Sequence, residues 1–142
     1  MDVSLVVPVF NEQECLEELI RRCLAVGRTE GGSFELVLVD DGSRDRSRAI
    51  IEQRSAENPE IVGVFLNRNY GQHAAVMAGF AQSRGDVVVT LDADLQNPPE
   101  EVPRLLGQIR AGHDVVGSVR ARRQDSVFRK TVSRVVNGMV RK

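Results

Sequence analysis

Tryptophan is absent from this 142-residue chain, tyrosine occurs once, and aromatic residues make up only 4%. That scarcity argues against the stacking platform on which single-stranded nucleic acids bind, so no nucleic-acid partner is expected. Cysteine occurs twice, at Cys15 and Cys23. On the helix read below, eight residues of separation put their Cα atoms roughly 12 Å apart at about 1.5 Å rise per residue, too far for a disulfide. They read as core thiols of a reducing compartment. No apolar run approaches the ~18 residues of a membrane span. The opening "MDVSLVVPV" has no basic n-region of a secretory signal. A soluble, single-domain chain is the expectation.

What is present is a regular alternation. The runs "VSLVVPV", "FELVLVD", "IVGVFLN" and "DVVVTLD" read as four strands, and "DVVGSV" as a fifth, short one. Between them lie helical patterns. Residues 12–26 carry Leu16, Leu19, Ile20, Cys23 and Leu24 on one face. Ser43 or Asp45 is expected to cap a second helix that runs through Asn58. Residues 72–83 form a third, and Pro98 and Pro99 open a fourth that stops at Gly112. Strands alternating with helices imply right-handed crossovers: an α/β, Rossmann-like, mostly parallel sheet with helices on both faces. Ligands of such sheets bind beyond the carboxyl ends of the strands. The polar residues gather at those ends: Asn11 and Glu12, Asp40 and Asp41, Asn67 to His73, Asp92 to Gln96, and Arg120.

The stretch "TLDADLQNPPEE" follows a β-branched run that barely alternates, and reads as leaving a strand buried on both faces. Period-two geometry sends the Asp92 and Asp94 carboxylates the same way. With Gln96 they make a hard-oxygen site for Mg²⁺ or Mn²⁺, and such an ion clamps a diphosphate. In "LVDDGSRDRS", Gly42 permits a sharp turn, and Asp41 is a candidate acceptor for a nucleobase imide or a ribose hydroxyl. Pro8 within the first strand marks it as an edge or a strand end. Pro8 and Phe10 are candidates for the wall of a flat base, with Glu12 at the helix start. Arg68 and His73, in "NRNYGQHAA", are candidates for phosphate or sugar contact.

Net charge is −1, but residues 120–142 carry +7 and the rest −8. A basic end on an acidic body suits an anionic partner. Phe128, Val132, Val135, Val136 and Met139 fall at helical spacing, so an amphipathic basic helix is expected over 128–140. The sequence stops inside it, which reads as a fragment of a longer chain. Two organisational units follow: a core over 1–119 and the start of a basic segment over 120–142.

Taken together, "VSLVVPVFNE", "LVDDGSRDRS", "NRNYGQHAAVMAGF" and "LDADLQNPPEE" resemble family 2 glycosyltransferases of the GT-A fold. The likeness is greater to the polyprenyl-phosphate transferases, the group containing dolichol-phosphate mannose synthase. The resemblance implies a UDP- or GDP-linked sugar donor and transfer with inversion to a polyprenyl phosphate, undecaprenyl phosphate in bacteria. It places Pro8, Glu12 and Asp41 at nucleoside-binding positions, and Asp92, Asp94 and Gln96 at metal and diphosphate positions. Arg120, then Arg129 and Ser133, fall where relatives meet the acceptor phosphate. Work at the cytoplasmic face of a membrane is implied for the longer protein. An unfinished sheet edge would also let copies of the fragment pair. The competing class, a phosphoryl-transfer or phosphatase domain, wants an Asp nucleophile with a Lys or Thr at neighbouring strand ends, and no such Lys stands there.

Overall fold

The computed structural model describes residues 2–30 and 32–118. Four strands, β1 (Val3–Val9), β2 (Phe34–Asp40), β3 (Ile61–Phe65) and β4 (Val87–Thr90), form one parallel sheet in the order β3-β2-β1-β4. They alternate with helices α1 (Gln13–Thr29), α2 (Ser47–Glu57), α3 (Gln72–Gln82) and α4 (Val102–Arg110). A 3₁₀ turn, Pro99–Glu101, leads into α4.

Side-chain alternation along the two central strands builds two unequal cores. Val3, Leu5, Val7 and Val9 of β1, with Leu36 and Leu38 of β2, meet Leu16, Leu19, Ile20 and Cys23 of α1, Ile51 of α2, and Val102 and Leu106 of α4. On the other face Val6, Val37 and Val39 meet Ala75 of α3. The larger core therefore carries most of the burial energy, at about 25 cal/mol per Å² of apolar surface removed from water.

β1 to β3 and all four helices stand where the apolar periodicity puts them, within a few residues. α1 runs on to Thr29, and β3 stops at Phe65 rather than Asn67. Neither expected residue is the N-cap of α2, which is Arg46 with no side-chain cap. Asp45 Oδ1 accepts the Ser47 N–H at 2.9 Å, whereas Ser43 Oγ accepts from Asn11 instead. Cys23 is fully buried, and burial pushes its thiol up to about 12. Cys15 is only half-buried, so it is not the core thiol expected; both are free.

Three expectations are corrected. First, of the two places Pro8 allowed, the edge is ruled out and the strand end holds: β1 is an interior strand and Pro8 is its next-to-last residue. Its Pro8 is tolerated because the last β1–β4 pair is Val6↔Thr90. Val6 accepts from the Leu91 N–H across that seam. Two residues on, Pro8 faces the same side where β4 has already ended, so its missing N–H leaves no gap in a ladder. Second, β4 is not buried on both faces. Among the described residues it is the edge strand, α3 lies over β1 and β2, and Val88 remains 40% exposed. Third, residues 114–118 of the expected fifth strand carry no strand, and Val115 is 89% exposed. Handedness rules out one place for it. α4 lies on the same face as α1 and α2, and both of those crossovers step from β1 toward β3. A right-handed crossover through α4 would step the same way, into the place β1 fills. Residues 119–142, with Arg120, Arg129, Ser133 and the expected basic helix, lie outside the described residues.

An ion pair ties the turn before α4 to α1. Arg22 Nε donates to Glu100 Oε1 at 2.8 Å, and Arg22 Nη2 donates to Glu100 Oε2. The Arg22 guanidinium, helped by a backbone N–H, holds the Glu100 carboxyl at about 2 against an ordinary 4.5. A depressed carboxyl stabilises fully above its unfolded value and loses that contribution as pH falls toward its folded one. The stability gap between wild type and Glu100→Gln is therefore expected to close between pH 4.5 and pH 2. At pH 7 it is at most about 1 kcal/mol, because the pair is half exposed. Denaturant unfolding across that pH range measures it, and a gap that widens on acidification contradicts the pairing.

Candidate active site

The carboxyl edge of the sheet is built from loops that lash one another down. After β1 the chain takes a left-handed residue at Asn11, φ +56°. From there the β1–α1 and β2–α2 loops trade hydrogen bonds. The N–H groups of Asn11, Glu12 and Gln13 donate to Ser43 Oγ (3.0 Å), Ser47 Oγ (3.0 Å) and Asp45 Oδ2 (3.1 Å). In return Arg44 N–H donates to Asn11 Oδ1 at 2.8 Å and Arg46 N–H to Gln13 Oε1 at 3.0 Å. Asp45 thus serves the first residues of two helices at once. Burial raises its carboxyl, but the Ser47 hydroxyl and the Ser47 and Gln13 N–H groups outweigh burial and leave it below its ordinary value. Much of the "DDGSRDRS" polarity is accounted for by this lashing.

Gly42, φ +71°, completes the turn after β2. A Cβ there would stand 2.4 Å from the Arg68 carbonyl carbon, so the β3–α3 loop lies directly against it. Asp41 holds that loop from the other side. It is 2% exposed, and its Oδ1 and Oδ2 accept the Tyr70 and Gly71 N–H groups at 2.8 and 2.9 Å. Gly71, φ +94°, then opens α3.

These loops and the segment after β4 enclose a cleft of about 430 Å³. Pro8 lines it from β1 and Phe10 and Glu12 from just after it, Asp41 from just after β2, Asn69 from the loop before α3 and Gln72 from its first residue, and Asp92 and Asp94 from the segment after β4. Phe10 presents 43% of its surface, a flat apolar wall. The floor is acidic. Burial raises the Glu12 carboxyl above its ordinary value, and the charges of Asp94 and Asp45 raise it further. Asp92 Oδ1 accepts from Gln72 Nε2 at 2.9 Å and Oδ2 from Asn97 Nδ2 at 3.3 Å. Asp94 Oδ1 accepts the Gln96 N–H at 3.0 Å, and Leu95 between them is left-handed, φ +58°. Asp92, Ala93 and Asp94 all line the cleft, and residues 93–94 form a turn, so the two aspartates reach it without the period-two alternation expected of a strand.

Of the residues singled out from sequence, Pro8, Phe10, Glu12, Asp41, Asp92 and Asp94 are brought together. Gln96 is exposed and stands outside the lining, and its backbone N–H donates to Asp94 Oδ1. Arg68 is also outside, with its guanidinium 4.8 Å from the centre of the Tyr70 ring. His73 is exposed on the first turn of α3 and does not line the cleft. Among the described residues no three His, Cys, Asp or Glu side chains gather as a self-sufficient metal site. Two carboxylates nevertheless fit a Mg²⁺-type ion, which takes one or two protein carboxylates and completes its shell with phosphate and water.

A family profile described as "Glycosyl transferase family 2" matches residues 4–141. The chain belongs to this family. The undecaprenyl-phosphate 4-deoxy-4-formamido-L-arabinose transferase of Pectobacterium atrosepticum is 58% identical over 143 residues, covering 99% of this chain and 43% of its own length. The protein of the same name from Pseudomonas fluorescens is 60% identical over 136 residues, covering 95% and 40%. The chain thus spans less than half the length of these relatives. Among solved structures, a mannosyltransferase from Pyrobaculum calidifontis in complex with GDP-Man and Mn²⁺ superposes with a TM-score of 0.68 at 22% identity, over 81% of this chain and 33% of its own. Glucosyl-3-phosphoglycerate synthase from Mycobacterium tuberculosis, in complex with Mn²⁺, UDP and glucosyl-3-phosphoglycerate, gives 0.62 at 29% identity, over 79% and 40%. The fold of this family 2 chain is accordingly the GT-A fold.

Sequence reasoning passed over Asn69 and Gln72, both in the lining. The signal was available in "NYGQ": a glycine that turns a loop into a helix puts the residues on either side of it at the strand edge.

Proposed function

We propose that the chain carries the donor-binding part of an inverting glycosyltransferase. That enzyme moves a sugar from a nucleotide sugar, UDP-linked, to undecaprenyl phosphate at the cytoplasmic face of a membrane. One observation carries the reading: two carboxylates just after β4 and an exposed Phe10 wall face one cleft at the carboxyl edge of a parallel sheet. The names of the 58–60% identical relatives support the acceptor, and the glucosyl-3-phosphoglycerate synthase with UDP and Mn²⁺ supports the donor. No helix of the described residues is long and apolar enough to cross a membrane. Membrane contact therefore falls to the basic segment from Arg120 onward and to whatever the longer protein adds.

In this reading Phe10 and Pro8 flank the base, and Asp41 and Glu12 stand toward the nucleoside. Asp92 and Asp94 hold a divalent ion, Mg²⁺ or Mn²⁺. Bound there, the ion supplies positive charge to the departing nucleoside diphosphate. The acceptor phosphate is already an anion near neutral pH, so it asks little of a general base. Positioning and charge stabilisation carry the rate. Arg120 is assigned to the acceptor phosphate, where a planar guanidinium gives a fixed two-point grip.

Calorimetric titration of UDP into the chain tests the reading. Mn²⁺ is expected to tighten UDP binding by at least about 10-fold, or about 1.4 kcal/mol, and GDP is expected to bind less tightly than UDP. UDP affinity that is the same with Mn²⁺ and with a chelator would sink it.

A further inference from the structure

Asp92 is held on both carboxylate oxygens by neutral amides: Gln72 Nε2 at 2.9 Å and Asn97 Nδ2 at 3.3 Å. The two donors differ in how they are mounted. Asn97 comes from the segment that follows Asp92 itself. Gln72 comes from across the cleft, as the first residue of α3, and lines that cleft. Its mounting is unusually firm for an exposed residue. Asp41 takes the N–H groups of the two residues just before it, and the Gly71 carbonyl accepts the Ala75 N–H at 3.1 Å. The path from the end of β2 to the end of β4 therefore runs Asp41, Tyr70–Gly71, Gln72, Asp92, with a hydrogen bond or a peptide bond at every step.

We propose that Gln72 is a positioning residue: its amide, anchored through Asp41, fixes the Asp92 carboxylate in the orientation that receives the divalent ion. The inference rests on the donor-site reading above. The donor type suits the task. An Arg or Lys at this position would orient Asp92 equally well but would compete with the cation for its charge. A neutral amide orients the carboxylate without bringing a positive charge of its own. Because one anchored turn lies between Asp41 and Gln72, occupation of the nucleoside end and readiness of the phosphate end are coupled through it.

Gln72→Met keeps length and helix propensity but removes the donor. UDP is titrated calorimetrically into wild type and variant, with Mn²⁺ and with a chelator, and thermal midpoints are recorded alongside. Loss of such an outer partner of a metal ligand typically costs 10–100-fold in metal affinity. The expected result is a loss of about 10-fold in the Mn²⁺-dependent gain. The thermal midpoint stays at the wild-type value, since Gln72 is exposed, and any loss of chelator-state UDP affinity is smaller than the loss of the Mn²⁺ gain. A variant that keeps the full Mn²⁺ gain overturns the proposal. So does a variant that loses UDP affinity equally with and without metal, since Gln72 would then touch the nucleotide directly. A wild-type protein with no Mn²⁺ gain refutes the donor-site reading, and this inference with it.

Discussion

Asp94→Ala is expected to erase the Mn²⁺-dependent part of UDP binding, a loss of more than about 100-fold in metal affinity. Removing a hydrogen-bonding partner of a metal ligand costs 10–100-fold, and removing one of only two carboxylates costs more. The fold should not suffer. Asp94 is half-buried, and the bond it makes to the Gln96 N–H is a local one within its own turn. Asp94→Asn serves as the control, since its amide oxygen still accepts that N–H while its charge is gone. Both variants should lose the metal effect to a similar extent. The chelator state gives a second, opposite sign. Asp94 raises the Glu12 carboxyl through space, and the same charge repels a diphosphate entering the cleft. Metal-free UDP affinity should therefore hold or rise in both variants. Calorimetry in paired buffers reads both effects. A variant that keeps the Mn²⁺ gain, or one that loses metal-free affinity, would put the ion somewhere other than the aspartates after β4.

The elements that sequence alone located are those whose environment is implied by their own residues. β1 and β2 are apolar at nearly every position because both faces are covered, and the helices show their buried faces directly. β4 has the same β-branched composition, yet Val88 is open. What covers a strand depends on where the neighbouring helix crosses, and no property of "DVVVTL" encodes that. The fifth strand failed for a related reason. A parallel strand reached through α4 by a right-handed path would fall on the β1 side of β4, which is already filled. At the site, Phe10, Asp92 and Asp94 were legible because they follow strand ends at the carboxyl edge of the sheet; the two aspartates reach the cleft through a turn, not by strand alternation. Arg68 and His73 were not. A long cation after a strand has several partners within reach, and Arg68 lies over the Tyr70 ring. Gln72 was missed because its place depends on Asp41, thirty-one positions earlier in the chain.

Asp41 shows how a residue with a nucleoside role assigned to it can be a structural anchor as well. Asp41→Ala is expected to destabilise the protein by about 2–4 kcal/mol. Each bond from a backbone N–H to a charged acceptor contributes about 1.5–3 kcal/mol, and Asp41 makes two. Water entering from the cleft recovers part of that total. For a chain of this length the loss corresponds to a fall of about 6–12 °C in thermal midpoint. Asp41→Asn separates the two N–H partners. One amide oxygen can still accept, but the NH₂ group then faces the second donor, so at least half of the loss should remain. A residue whose work was confined to meeting a nucleobase would leave the midpoint of the free protein unchanged in both variants, and an unchanged midpoint would refute the anchoring role. Ligand binding should also weaken, since the released turn carries Asn69 and Gln72 away from the cleft they line. Because the same turn holds Gln72 against Asp92, the loss should be larger with Mn²⁺ present than without. That ordering is what the chain of contacts from β2 to β4 requires, and a nucleobase contact alone would not produce it.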